Sequence, residues 1–100
     1  MKKITTTIKR PFLAEIIAGE KKVEYREMKP YWKKRLDGLS LPFELRLING
    51  MQKHAPEVTV IVGKISPNAR TRQYELHIRS VVKHSNWDKR RRVPKVPSSR

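Results

Sequence analysis

Apolar positions fall in short groups whose period switches between the two of a strand and the near-four of a helix. Ile4 to Ile8, rich in β-branched residues, predicts a first strand, and Lys9-Arg10-Pro11 interrupts it. Pro11 suits a first helical turn, where a missing N–H costs nothing. Phe12, Leu13, Ile16 and Ile17 then make a helical stripe, and Gly19 accepts the left-handed dihedrals of a helix stop. A helix of about two turns is unstable alone and has to pack on a sheet. Lys22 to Arg26 predicts a second strand. With Val23 and Tyr25 taken as its inward pair, Glu24 and Arg26 project outward together, and Lys21 stands at the turn before them.

Lys29 to Leu36 predicts a second short helix that buries Trp32 with Leu36 and leaves Tyr31 beside Arg35; Asp37-Gly38 closes it. Phe43 to Ile48 alternates as a strand, Asn49-Gly50 reads as a turn, and residues 51–56 form a basic loop. Val58 to Ile65 is the most apolar run and predicts the central strand, with Gly63 marking a bulge or a close backbone approach. After a polar loop over Ser66 to Arg72, Tyr74, Leu76 and Ile78 alternate with Glu75, His77 and Arg79 in a strand that runs on to Val82. These elements predict a mainly β fold with short α-helices, its strands curled into a small β-barrel or bent sheet with helices over the ends, in one domain over residues 1–87. Residues 88–100 are basic and hold almost no core formers, which predicts a loosely attached arm.

Composition narrows the chemistry. With 37% apolar residues in 100 there is material for one modest core. The lack of cysteine excludes disulfides, thiolate metal sites and a thiol nucleophile. No apolar run approaches the ~20 residues that span a bilayer, and no signal-like segment follows the basic start, so a cytoplasmic location without membrane contact is expected. Lys and Arg number 24 against 9 acidic residues, for a net charge of +15, which points to a polyanionic partner: RNA first, DNA second. His54, His77 and His84 lack metal-ligand spacing, so neither metal nor cofactor is expected. Ser40 and Ser66 lack the neighbours of a nucleophile elbow, and no glycine loop of the phosphate-cradling kind occurs.

The candidate site residues follow from charge and position. Lys21, Glu24 and Arg26 put two cations beside a carboxylate, an arrangement that binds an anionic group, supports acid–base chemistry, or forms only a surface ion-pair network. Tyr31 offers a stacking face, with Lys33 and Arg35 as phosphate contacts on the same helix. Arg46 and Asn49 flank a strand end, and Lys53 and His54 follow it toward the same mouth. Glu75 is a second carboxylate on an outward strand face. Arg90, Arg91 and Arg92 would hold phosphates without reading sequence.

Lys9-Arg10-Pro11-Phe12 followed by Gly19-Glu20-Lys21-Lys22-Val23-Glu24-Tyr25-Arg26 resembles the opening of the ASCH domain, a branch of the PUA-like superfamily. Lys29-Pro30-Tyr31-Trp32, Asn49-Gly50 and Ala55-Pro56-Glu57 resemble its small single-domain bacterial and phage members, so the likeness covers nearly all of residues 4–87. The resemblance implies a small β-barrel with helices at its openings and a charged cleft that binds RNA. A minority of the family are enzymes. One removes the acetyl group of N4-acetylcytidine with a lysine, a threonine and a glutamate. The lysine matches Lys21, but the threonine position holds Glu24, and a carboxylate does not replace a hydroxyl nucleophile. A ribonuclease member matches only at the shared lysine. The leading expectation is therefore RNA or a nucleotide-like ligand bound by Lys21, Glu24, Arg26, Arg46 and Asn49 in one cleft. The alternatives are a hydrolase, with Lys21 polarising and Glu24 acting as general base, and a protein-interaction module.

Overall fold

The apolar groups resolve into β1 (Lys3–Thr7), α1 (Arg10–Ile17), β2 (Val23–Glu27), α2 (Pro30–Leu36), β3 (Phe43–Ile48), β4 (Glu57–Asn68) and β5 (Gln73–Ser85) in a computed structural model that describes residues 1–95. One sheet takes the order β1-β3-β4-β5-β2, with β1 parallel to β3 and every other pair antiparallel. β4 is central, as its apolar run predicts. β1 and β2 follow one another in the chain, yet they form the two opposite edges.

The β4–β5 ladder skips one residue at each of Val82, Arg79 and Gly63. Each extra residue bends its strand and adds twist, so a long hairpin becomes a curled one. Gly63 also admits a close approach: a Cβ there would stand 3.0 Å from Arg79 Nε. The sheet curls into a half-barrel, mainly β with two short helices, and stays open because β1 and β2 do not pair.

The concave face carries the core. Phe43, Leu45 and Leu47 of β3, Val58, Val60 and Val62 of β4, and Leu76 of β5 are fully buried. Leu13, Ile16 and Ile17 of α1 and Trp32 and Leu36 of α2 pack onto them. Burial of each such side chain is worth about 1.5–3 kcal/mol, enough to hold helices too short to persist alone. Phe12 departs from the predicted stripe: it is 43% exposed.

Three boundaries differ from those expected. The polar loop is shorter than 66–72, because β4 continues to Asn68, whose Oδ1 accepts from the Arg70 and Thr71 N–H groups. β5 runs past Val82 to Ser85. The basic arm begins as a hairpin, β6 (Trp87–Asp88) paired with β7 (Val93–Pro94), and is anchored by the buried Trp87. Asp88 Oδ1 accepts from the Arg91 N–H inside that hairpin, which sequence composition alone did not foreshadow. Positions 96–100 of the expected arm lie outside the described residues.

A candidate ligand cleft at the open seam

Unpaired edges of β1 and β2 leave a gap, and a depression opens there. It measures about 740 Å³ and takes its lining from the end of β1, from α1, from the loop before β2 and from β2 itself.

Local structure aims each group. The N–H groups of Glu20 and Lys21 both donate to Glu15 O, and Gly19 adopts φ +80°, so the end of α1 turns the backbone at Lys21 toward the gap. Register does the rest. Glu24 lies opposite Leu76, a core residue, whereas Tyr25 lies opposite Glu75. Opposed residues in an antiparallel pair share a face, so Glu24 and Arg26 point into the half-barrel. This reverses the expectation of Val23 and Tyr25 inward and the charges outward. Glu24 is only 4% exposed, while Tyr25 is 47% exposed.

Glu24 is the hub. Its Oε2 accepts from Arg26 Nη2, and its Oε1 lies 3.6 Å from Lys21 Nζ. Arg26 Nη2 also donates to Thr7 O at 2.9 Å, a side-chain bond that crosses the seam from β2 to β1. The guanidinium stands 5.2 Å from the Trp32 ring. Arg26 Nε is buried without an acceptor, the one such side-chain atom among the described residues. Lys21 Nζ sits between two half-exposed rings, 5.1 Å from the centroid of Phe12 and 4.9 Å from that of Tyr25. Chemically the cleft offers two aromatic faces, an ammonium donor, a guanidinium and a carboxylate in contact with both cations.

The other predicted residues separate from this group. Arg46 is not in the cleft: its Nε and Nη2 donate to the two oxygens of Glu57 at 2.7 and 2.8 Å, beside a second, smaller depression of about 250 Å³. That hydrogen bonding holds the Glu57 carboxyl below the usual carboxylate range and raises Arg46. His54 lines the same depression, and Lys53 is exposed in the loop beside it. Asn49 braces the cleft from behind. It donates to Ile8 O at 2.9 Å and accepts from Arg10 Nε at 3.1 Å, pinning the turn that carries Ile8 and Lys9 into the lining.

Tyr31, Lys33 and Arg35 lie on the exposed side of α2, where Arg35 covers the Tyr31 ring at 4.6 Å and Tyr31 meets Trp32 edge-on at 5.7 Å. Arg90 and Arg91 are exposed on the terminal hairpin, and Arg92 forks onto Glu20 at 2.9 and 3.0 Å. The bond lowers the Glu20 pKa and ties the hairpin next to Lys21. Glu75 faces away from the cleft with Ser66 and His77, in what looks like a relay. Ser66 Oγ at 3.0 Å and Glu75 Oε1 at 3.9 Å both approach His77 Nε2, whereas a Ser–His–acid relay needs both ring nitrogens.

Thr7, Lys9, Phe12, Glu27 and Gln73 also line the cleft and escaped sequence reasoning. Phe12 left one trace, an aromatic at the margin of a stripe already filled by Leu13, Ile16 and Ile17. No described helix is long and apolar enough to cross a membrane. Comparison of the chain with protein-family models, with curated proteins and with solved structures finds no match.

Proposed function

We propose that this chain is an RNA-binding domain of the ASCH type, its half-barrel a variant of the PUA-like barrel, and that RNA or a nucleotide-like part of it occupies the seam cleft. The observation that carries this reading is the placement of Lys21 Nζ between the Phe12 and Tyr25 rings, over the buried Glu24–Arg26 pair, in an open cleft of a chain with net charge +15. Ring faces and fixed donors in one concavity suit a nucleobase, and the charge of the whole suits its backbone.

The test is filter binding of a mixed-sequence RNA against polyglutamate of equal charge, from about 50 to about 200 mM salt. RNA should bind more tightly than polyglutamate, and Lys21→Ala should remove the preference while thermal unfolding shows the variant folded. Equal binding of both polymers would reduce the protein to a nonspecific polycation and end the proposal. The hydrolase reading has narrower support, because Glu24 already serves two cations and no hydroxyl stands in its place. Acetate released from N4-acetylcytidine, and lost in Lys21→Ala, would reinstate it.

A further inference from the structure

The cleft is nearly neutral although the protein is not. Its lining holds three cationic side chains, Lys9, Lys21 and Arg26, and two carboxylates, Glu24 and Glu27. It therefore accounts for one unit of a net charge of +15. A phosphate placed inside would meet Glu24 and Glu27 as well as the cations. An uncharged base would meet ring faces, the Lys21 ammonium, the Gln73 amide with both a donor and an acceptor, and the Arg26 guanidinium. The surplus charge stands outside, on elements that touch the rims. From Arg26 a chain of ring contacts leads through Trp32 to Tyr31 and Arg35 on α2. On the side of Lys21, the Arg92–Glu20 pair brings in the hairpin that carries Lys89, Arg90 and Arg91.

We propose, building on the RNA-binding reading above, that the ligand is a single-stranded polynucleotide: one unpaired base enters the cleft while the flanking phosphates run over α2 and the terminal hairpin. A duplex keeps its bases stacked and paired and shows its outside mainly phosphate, so it reaches the basic surfaces and leaves the cleft empty. Affinity thus divides into two separable parts. The cleft contributes a salt-independent part through stacking and hydrogen bonds, and the outer cations contribute a salt-dependent part through counterion release.

Fluorescence anisotropy with labelled homopolymers of about ten nucleotides, as RNA and as DNA, each alone and annealed to its complement, tests the division. Single strands should bind more tightly than the duplexes, and the RNA and DNA arms report whether the sugar matters. Phe12→Ala and Tyr25→Ala should each weaken single-strand binding about 5- to 150-fold at every salt concentration, with an unchanged salt slope and unchanged duplex binding. Lys33→Ala/Arg35→Ala should instead flatten the slope of log K against log salt by about 1.4, the loss of two phosphate contacts. None of the four residues is buried, the two aromatic ones being half-exposed, so truncation spares the core. Duplex binding equal to or tighter than single-strand binding would overturn the inference while sparing the RNA-binding reading, as would aromatic variants that change the slope and not the affinity. Failure of every oligonucleotide to bind in low salt would sink both.

Discussion

Replacing Glu24 by Gln tests the arrangement on which the cleft depends. The side chain is 5% exposed and faces two cations, Lys21 and Arg26, whose own side chains are 14% and 16% exposed. Removing one partner from a buried charge cluster costs about 3–5 kcal/mol, because the remaining charge stays desolvated. Here two circumstances reduce that figure. The cleft is open to water on the side of Lys21, and the glutamine carbonyl still accepts a bond from Arg26. A loss of about 2–3 kcal/mol follows, which for a domain of this length lowers the melting temperature by roughly 10–20 °C. Circular dichroism melts of Glu24→Gln measure it. The same melts on Glu24→Gln/Lys21→Met separate charge from shape, since deletion of the unmatched ammonium should restore about 1 kcal/mol if electrostatic imbalance is the cause. A melting temperature within about 2 °C of the parent would refute the reasoning, because a carboxylate with no structural role would then cost no more than an ordinary surface substitution.

Further outcomes are expected. Trp87→Ala should cost about 3–5 kcal/mol, because a buried indole anchors the terminal hairpin, whereas Arg92→Ala should leave the urea midpoint nearly unchanged despite its two hydrogen bonds to Glu20, because both groups stand in water; urea unfolding of the two variants side by side checks the ranking. Glu57 has its pKa lowered by Arg46, so its contribution to stability is full above its unfolded value and is lost as the pH falls through the folded one; melting temperatures taken downward through the carboxylate range should therefore fall less steeply in Arg46→Met than in the parent. Gly50 adopts φ +115°, a conformation an L side chain strains to reach, so Gly50→Ala should lower stability by about 1–2 kcal/mol, although the Gln52 side chain that a Cβ would meet can move aside. At Gly63 only the movable Arg79 side chain stands close, and Gly63→Ala should cost under about 1 kcal/mol, read from urea midpoints.

What could be read in advance was whatever the local pattern decides. Most strands and both helices follow from groups of apolar residues with a proline or glycine near a boundary, β5 follows from its alternation alone, and Trp32, Leu36 and the Tyr31–Arg35 pair fall where helical spacing puts them. The bulge at Gly63 was readable because a glycine inside a β-branched run has few other uses. The terminal hairpin was not, because one tryptophan and an Asp88 side-chain bond hold it against a composition that argues for disorder. Arg46 and Asn49 stand outside the cleft lining for a related reason: sequence shows polar groups near a strand end, but not that Glu57 or the Ile8 carbonyl stands within reach.

The orientation of β2 is the deeper case. Apolar-inward reasoning picks Val23 and Tyr25, and it fails because a strand of five residues has its facing set by register with a partner, here β5, about fifty positions away. A slip of one residue exchanges the two faces. The observed register places a glutamate where the core would continue, a placement that is stable only because Arg26 shares that face, Lys21 arrives from the α1 stop and Thr7 supplies a carbonyl across the seam. Those compensations come from three separate elements, and none is visible until the sheet has curled. The same failure marks the site: a short strand that turns its charged face inward leaves its aromatic on the rim, beside the gap that β1 and β2 do not close and that the proposed ligand would fill.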